Sequence, residues 1–314
     1  MLDLVLAIAM FAGGVALLVY SVEKFVENLA KSAVVLGVST FILAVVFAGM
    51  DFENWAFGIG SVLGGLPGVG VGSAMGSALF LVCGAAGLAG ILSPFEPRVP
   101  REYLILMVAS PLILLLFIFD QVLTRLDGVL LLLAFAAIIA YMYRREKQRE
   151  YLRDHEVEEV EEGIGPRRWV YPVLMVAFTV GIVAGTELAV RGARGIVEGF
   201  GLNQTVFGMT FAGLAMSLEE ILLVVEPVRK GRPTIAVGNI VGSLIFFSTG
   251  NIGLLAATRS FALDQSVLYF YWPFLFGTVL LMGIILMRGK IRRAQAVPLF
   301  LIYIGYWVLS YTVL

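Results

Sequence analysis

The sequence predicts an all-α polytopic membrane protein in which ten transmembrane helices form two inverted repeats of five. Its composition is the first observation, since 60% of the 314 residues are hydrophobic and only 14% are charged. Soluble domains usually carry about 25% charged residues. The mean hydropathy of +0.94 agrees with a membrane protein. The second observation is an internal repeat, in which segments of the two halves match at an offset of 166 residues.

Ten segments are long and apolar enough to span a membrane, which takes about 20 predominantly apolar residues. The charged stretch 144–168 separates five of them from the other five. It predicts a first repeat at 1–143, a linker at 144–168 and a second repeat at 169–314. The predicted spans are Leu2–Tyr20, Thr40–Gly60, Gly68–Leu92, Tyr103–Phe119, Gly128–Tyr143, Tyr171–Val190, Val206–Val225, Thr234–Ala257, Val267–Met287 and Ala296–Leu314.

The basic residues of the loops predict the orientation. If the spans alternate, sixteen Lys and Arg residues lie on the side of the linker and four lie on the other side. Basic residues beside short loops favour the cytoplasm. We therefore expect a multi-pass protein of the cell membrane, surrounded by the lipid bilayer, with a cytoplasmic linker and both termini outside.

The internal repeat involves residue types that rarely match by chance between apolar helices. Because each half has an odd number of spans, the second copy enters the membrane from the opposite side. Inverted repeats are typical of secondary transporters, whose binding site lies near the midplane between the repeats. Matched pairs at the offset of 166 include Met50 and Met216, Glu53 and Glu219, Gly65 and Gly231, Pro67 and Pro233, Gly72 and Gly238, Gly76 and Gly242, and Ser77 and Ser243; at an offset of 171, Gly14 matches Gly185.

Several classes of function are excluded or disfavoured by composition. The net charge of −1 argues against nucleic-acid binding through bulk charge. The chain contains one cysteine and one histidine, which excludes a disulfide framework, a cysteine-based zinc site and a multi-histidine metal centre. We expect a protein that is not an enzyme and has no resident cofactor.

Four carboxylates fall inside otherwise apolar spans: Asp51, Glu53, Glu219 and Glu220. Each costs about 2.5–3.5 kcal/mol at mid-membrane on insertion scales. Cations, protons or a water-filled cavity must offset this cost. Oxygen ligands of this kind suit Ca²⁺, Mg²⁺ or Na⁺.

Helical spacing predicts how these side chains combine. Residues three apart share a helix face, so Asp51 lies with Asn54, and Ser217 lies with Glu220. The sequence therefore predicts a pocket of these four residues. Glu53 and Glu219 point about 100° away from the residues that follow them, and line the cavity or reach an interface if the helix is broken there.

Two further matched segments, at 72–78 and 238–244, supply small and hydroxyl residues. Glycines four apart in each segment allow close helix packing. The oxygen-bearing residues of these segments that we expect near the acidic helices are Ser73, Ser77, Asn239 and Ser243.

These segments resemble the cation/Ca²⁺ antiporter superfamily, most closely the prokaryotic Na⁺/Ca²⁺ exchangers. Each repeat of that family holds a Gly-Thr-Ser-Leu-Pro-Glu segment followed by a Gly-Asn-x-x-Gly-Ser-Asn segment. Residues 215–220, Ala-Met-Ser-Leu-Glu-Glu, match the first and place the family's ligand glutamate on Glu220. Residues 238–244 match the second and place a ligand serine on Ser243.

The first repeat departs from the family pattern. Asn54 stands where the family has its glutamate, and Glu53 stands in the proline position. The Asn or Asp ligand that follows each second segment falls on Leu81 and Phe247. We expect Asp51, one turn from Asn54, to replace the lost charge.

The resemblance implies an antiporter that exchanges Ca²⁺, or a similar divalent cation, against Na⁺ by alternating access. Glu220 is the expected principal ligand, with Asp51 as the opposing carboxylate, and the expected functional unit is a monomer. One alternative is an H⁺-coupled exchanger, because closely spaced carboxylates can share a proton. An alternative of another class is a cation channel or a transport-inactive relative with a structural or sensing role, which Leu81 and Phe247 favour.

Overall fold

The protein is almost entirely helical, as the sequence predicts. The computed structural model describes residues 2–35, 51–97, 99–146 and 170–312. Two short strands, β1 (Val122–Leu123) and β2 (Phe261–Ala262), join loops of the two halves. The helices are α1 Leu2–Val35, α2 Phe52–Leu63, α3 Pro67–Leu92, α4 Arg101–Ile118, α5 Arg125–Glu146, α6 Val170–Phe200, α7 Gln204–Met216, α8 Glu219–Arg229, α9 Pro233–Thr258, α10 Val267–Met287 and α11 Arg293–Thr312.

Within the described residues, eight helices are long and apolar enough to cross a membrane. The α7 and α8 helices, bent by 49° at a short break, pass the same test when they are taken together, which brings the count among the described residues to nine. The predicted span Thr40–Gly60 lies partly outside the described residues, and α2 begins in its second half. The predicted count of ten therefore stays a prediction, while the all-helical membrane architecture is confirmed.

Two helices extend well beyond their predicted spans. The α1 helix has 34 residues and does not end at Tyr20, and α6 has 31 residues and does not end at Val190. Charged residues set the predicted end of the first span, but they do not end the helix. Lys24 and Glu27 form an ion pair one turn apart, at 3.0 Å, which suits a continuing helix.

The sequence repeat is also a repeat of local structure. The α3 and α9 helices start and end at an offset of 166 residues, and each contains a π-helical turn, at Phe80–Ala85 and Phe246–Asn251. The turns that precede them use Gly65 and Gly231, with φ of 79° and 74°. Glycine adopts this left-handed conformation without steric cost. The shared glycines therefore fix the same turn twice.

The loops of the two halves pair at opposite ends of the bundle. The β1 strand pairs with β2 in antiparallel register, and Phe95 forms an isolated bridge with Ile291. Each pairing joins one loop of the first half to one loop of the second half, as inverted repeats require. We call the two ends of the bundle the sheet face and the bridge face.

The ends of α2 and α3 can be assigned to these faces. The α3 helix ends beside Phe95, so its first residue, Pro67, lies at the sheet face. Pro67 and Leu263, which follows β2, line the same cavity of about 260 Å³, which confirms the assignment. The α2 helix ends at Leu63 and therefore also points toward the sheet face.

Matched glycines hold α1 against α6. A Cβ atom on Gly14 would lie 2.3 Å from the backbone nitrogen of Ala189, and one on Gly185 would lie 2.6 Å from that of Leu18. These distances leave no room for any side chain. The two backbones therefore touch through the glycine pair that the repeat predicts.

The α3 and α9 helices are the most buried and form the centre of the bundle. On α3, a Cβ atom on Gly72 would lie 2.7 Å from the nitrogen of Met209, and one on Gly76 would lie 2.3 Å from its carbonyl oxygen. Met209 belongs to a π-helical turn of α7, Gly208–Ala212. The small residues thus bring α3 onto the backbone of the broken span.

Candidate cation-binding site

Asp51 and Asn54 meet at the buried start of α2. Asp51 is the N-cap, and its Oδ1 accepts from the Asn54 backbone nitrogen at 2.7 Å. The Asn54 amide nitrogen donates to Asp51 Oδ2 at 2.6 Å. The expected contact is present, but its predicted cause is wrong. Asp51 has an extended backbone, with φ −80° and ψ 95°, so the pair is joined by helix capping and does not share a helical face.

Two serines of α3 complete this half of the site. Ser73 Oγ donates to Asn54 Oδ1 at 2.7 Å. The Asn54 amide nitrogen also donates to Ser77 Oγ at 3.0 Å, and Ser77 donates to the carbonyl oxygen of Gly213 at 3.2 Å. The network therefore connects α2 through α3 to α7. Sequence reasoning missed Gly213 because its contribution is a backbone oxygen; its position beside the matched acidic segment is the signal available in the sequence.

The second half of the site repeats this arrangement. Glu220, at the start of α8, accepts from the Asn239 side-chain nitrogen at 2.6 Å. Glu220 and Asn239 are equivalent to Asn54 and Ser73 at the offset of 166, and both pairs are nineteen residues apart. Ser243, the equivalent of Ser77, is buried one turn further along α9. The structure thus brings the predicted residues of each repeat together.

Three carboxylates form one cluster. Carboxylate oxygens of Asp51, Glu53 and Glu219 lie within 4.8 Å of one another. Two unit charges at this distance repel by about 3 kcal/mol at an effective dielectric constant of about 20. Glu53 is only 5% exposed, and Glu219 is half-buried. A cation or a shared proton is therefore needed to offset the repulsion among these three carboxylates.

The break between α7 and α8 changes the predicted role of Ser217. The predicted span Val206–Val225 is interrupted here, and Ser217 has non-helical angles, with φ −121° and ψ 14°. The prediction that Ser217 and Glu220 share one helical face is therefore wrong. Instead, the backbone N–H of Glu220 donates a hydrogen bond of 3.1 Å to the carbonyl oxygen of Ser217 across the break. Ser217 Oγ is buried and has no hydrogen-bond partner among the described residues.

Leu81 and Phe247 occupy the positions at which the resemblance places an Asn or Asp ligand. They are 0% and 1% exposed, and each belongs to a π-helical turn. The Phe247 ring packs against the Phe246 ring, with centroids 5.6 Å apart. Both side chains are core residues and offer no oxygen to an ion.

Comparison with known proteins identifies the family. The family model described as sodium/calcium exchanger protein matches residues 6–144 and 170–312. This chain belongs to the sodium/calcium exchanger family. The family resemblance that the motifs predict is therefore confirmed.

Relatives cover nearly the whole chain. The putative antiporter CaxA of Alkalimonas amylolytica is 27% identical over an alignment of 310 residues that covers 95% of this chain and 97% of the relative. The sodium/calcium exchanger MaX1 of Methanosarcina acetivorans is 24% identical over an alignment of 344 residues, covering 95% and 96%. The inner membrane protein YrbG of Escherichia coli is 26% identical over 260 residues.

Solved structures show the same fold. A structure of the sodium-calcium exchanger NCX_Mj soaked with Na⁺ and Sr²⁺ matches with a TM-score of 0.63 and 21% identity, covering 99% of both chains. A structure of NCX_Mj soaked with neither Na⁺ nor Ca²⁺ matches with a TM-score of 0.58. The chain is thus a multi-pass membrane protein with an exchanger fold, from a family of cation antiporters and not of enzymes.

Proposed function

We propose that this protein exchanges Ca²⁺ against Na⁺ across the cell membrane by alternating access. The observation that carries the proposal is a pair of half-sites that the inverted repeat relates. Buried Asn54 bonds to buried Ser73 in one, and buried Glu220 bonds to half-buried Asn239 in the other. A carboxylate cluster adjoins the first half-site, and the helix break adjoins the second. The relatives MaX1 and NCX_Mj, both described as sodium/calcium exchangers, support the choice of ions.

The donor set of this site consists of oxygens. Ca²⁺ takes six to eight such ligands from carboxylates, amide and backbone carbonyls, hydroxyls and water. Glu220 is the principal ligand, because it is a buried carboxylate whose orientation is set by the bond from Asn239 to Oε2. The residues we assign to ion binding are Asp51, Glu53, Asn54, Ser73, Ser77, Ser217, Glu219, Glu220, Asn239 and Ser243.

Exchange follows from competition for one cluster of negative charge. Either Ca²⁺ or Na⁺ neutralises the carboxylates, and only a neutralised cluster is occluded at low cost inside the membrane. Without an ion, the charged cluster opposes the change of access. Both half-sites come from one chain, so a monomer contains the whole site. We assign the bridge face to the cytoplasm, in line with the distribution of basic residues.

Proton coupling is the second candidate. The three carboxylates within 4.8 Å of one another favour it, because such groups can hold one proton between them. In this case H⁺ replaces Na⁺ as the counter-ion, and the Ca²⁺ ligands stay the same.

The test is Ca²⁺ uptake into proteoliposomes under an outward Na⁺ gradient and, separately, under an outward H⁺ gradient. Glu220→Gln is compared with Glu226→Gln, which changes an exposed glutamate of the same helix that pairs with Lys230. We expect uptake driven by Na⁺, abolished by Glu220→Gln and retained in Glu226→Gln. Uptake driven only by H⁺ supports the second candidate. Uptake that needs no counter-ion indicates a channel, and no uptake under either gradient overturns Ca²⁺ exchange.

A further inference from the structure

The π-helical turn of α7, Gly208–Ala212, deprives one backbone carbonyl of its α-helical donor. In an α-helix, the N–H of Gly213 would donate to the carbonyl of Met209, four residues earlier. Here it donates to the carbonyls of Gly208 and Thr210. Single π-helical turns inside α-helices are frequent at functional sites. The carbonyl of Met209 can therefore accept a hydrogen bond from another helix.

Tyr306 of α11 donates that hydrogen bond. Its hydroxyl lies 2.7 Å from the carbonyl oxygen of Met209, and its side chain is 0% exposed. Gly76 of α3 lies against the same oxygen, which would be 2.3 Å from a Cβ atom at that position. The carbonyl is thus held between α11 and α3. Since a buried carbonyl that loses a donor is destabilised, removal of the hydroxyl favours a shift of the turn.

Tyr311 attaches the same turn to α11 a second time. Thr210 Oγ1 donates to the carbonyl of Val206 at 2.6 Å, and it lies 2.7 Å from the hydroxyl of Tyr311. Because a threonine hydroxyl has one proton, Tyr311 is the donor in the second contact. The ring of Phe211 also packs edge-on against that of Tyr311, with centroids 6.3 Å apart. The turn is therefore held on α11 by two hydrogen bonds and an aromatic contact.

This turn determines where Gly213 lies, and Gly213 belongs to the network of the candidate site. Gly213 directly follows the turn, and its carbonyl accepts from Ser77 Oγ at 3.2 Å. A Cβ atom on Gly213 would lie 3.0 Å from the backbone nitrogen of Ser77, so the two backbones are in contact here. A π-helical turn contains one residue more than an α-helical turn. Its loss would move the Gly213 carbonyl by about 100° around the helix axis, away from Ser77.

The first repeat has no counterpart of the two tyrosines. At the offset of 166, Tyr306 corresponds to Ala140 and Tyr311 corresponds to Arg145. Neither of these residues carries a hydroxyl. The repeat fold therefore does not require a hydroxyl at these positions, which points to a role of the tyrosines in the site beside them.

We propose that Tyr306 and Tyr311 are positioning residues of the ion site. By holding the π-helical turn on α11, they keep the Gly213 carbonyl beside Ser77, and Ser77 in turn keeps its bond to Asn54. Neither tyrosine contacts the ion. The identity of this ion as Ca²⁺ rests on the proposed function.

The test measures Ca²⁺ binding and Ca²⁺ transport separately. Tyr306→Phe and Tyr311→Phe are compared with Tyr303→Phe, which removes the hydroxyl of a buried tyrosine of the same helix that has no hydrogen-bond partner in the described part of the chain. Titration calorimetry of the purified protein gives the Kd for Ca²⁺. Ca²⁺–Ca²⁺ exchange in proteoliposomes gives the half-saturating concentration and the maximal rate.

We expect Tyr306→Phe to raise both the Kd and the half-saturating concentration about tenfold. Tyr311→Phe should raise them about threefold, because Tyr311 is 41% exposed and its bond is weaker in contact with the surroundings. The maximal rate stays within about twofold of wild type in both variants, and Tyr303→Phe changes none of these values.

Two further variants test whether Tyr306 acts through its hydrogen bond and through Ser77. The amino acid para-aminophenylalanine at position 306 keeps a donor on the ring and should return the Kd to within about twofold of wild type. In a Ser77→Ala background, Tyr306→Phe should raise the Kd by only about threefold, because both changes disrupt one network.

A lower melting temperature of Tyr306→Phe with an unchanged Kd would show that the hydroxyl only supports the fold, and overturns the proposal. A fall in the maximal rate alone, an equal effect of Tyr303→Phe, or full additivity with Ser77→Ala overturns it as well. If wild type binds Ca²⁺ but does not exchange it, the exchange proposal fails, while the Kd values of the variants still decide the role of the tyrosines. If wild type binds neither Ca²⁺ nor Na⁺, both proposals fail.

Discussion

Asn54 and Glu220 occupy equivalent positions in the two repeats, and each accepts a hydrogen bond from a residue nineteen positions later, Ser73 and Asn239. The geometry is thus conserved between the repeats while the charge is not. Asn54 is neutral and bonds to Asp51, which supplies the negative charge one turn away. The site therefore distributes its charge unequally over the two halves.

Removing the Asn239 amide is expected to weaken Ca²⁺ binding more than removing the Ser73 hydroxyl. Asn239 bonds to a carboxylate, and hydrogen bonds to charged groups contribute about 1.5–3 kcal/mol, against about 1 kcal/mol for neutral pairs. We expect Asn239→Ala to raise the half-saturating Ca²⁺ concentration by at least about tenfold and Ser73→Ala by about fivefold or less. Concentration series of Ca²⁺–Ca²⁺ exchange measure both values. A larger effect of Ser73→Ala contradicts the assignment of Glu220 as the principal ligand.

Packing of α1 against α6 predicts that Gly14 tolerates no side chain. The Cβ atom of Gly14→Ala would overlap the backbone at Ala189, and such overpacking costs about 1–3 kcal/mol or more. Gly13 is the matched control, since a Cβ atom there meets nothing within 4 Å. Thermal unfolding in detergent should show a lower melting temperature for Gly14→Ala. Gly13→Ala should be neutral or stabilising, because alanine favours the helix. Equal melting temperatures would show that α1 and α6 are not held in this contact.

Residues whose conformation is set locally made the repeat predictable from sequence. Gly65 and Gly231 fix a left-handed turn, and Pro67 and Pro233 start the following helices at the same offset. Proline suits the first helical position because it lacks the backbone N–H that would be unpaired there. The pairing of each half-site was predictable for the same reason, since it repeats these local units.

Tertiary packing made the rest unpredictable. Neither glycine nor proline stands between Gly213 and Pro227, so no helix-breaking residue marks the 49° bend at Ser217. The π-helical turns of α3, α7 and α9 also have no signal in the apolar pattern. The clustering of Glu53 with Glu219 depends on that break, and helical spacing alone does not place both carboxylates beside Asp51.

The carboxylate cluster predicts that Glu53→Gln stabilises the ion-free protein. The substitution removes a charge that repels Asp51 and Glu219 at distances up to 4.8 Å. In the presence of a Ca²⁺ chelator, we expect a higher melting temperature than that of wild type, corresponding to a gain of about 1–3 kcal/mol in the free energy of unfolding. Adding Ca²⁺ should then raise the melting temperature of the variant less than that of wild type. Glu198→Gln, at an exposed position of α6, serves as the control and should change neither value. A lower melting temperature for Glu53→Gln without Ca²⁺ would mean that Glu53 is not part of a repulsive cluster.

Asp51→Asn separates the charge of Asp51 from its role as the N-cap of α2. Asparagine caps a helix about as well as aspartate, whereas alanine costs about 1 kcal/mol, so the fold is retained while the charge is lost. We expect Asp51→Asn to raise the melting temperature in chelator, as Glu53→Gln does, because the same repulsion is relieved while the cap is kept. We also expect it to lose Ca²⁺ uptake by at least about tenfold, because a buried charge that balances the cation is gone. The double variant Asp51→Asn with Asn54→Glu returns the charge to the position equivalent to Glu220 and should restore uptake in part. Unchanged uptake and Ca²⁺ affinity in Asp51→Asn would show that Asp51 acts only as a cap, and the charge of the first half-site would then have to come from Glu53.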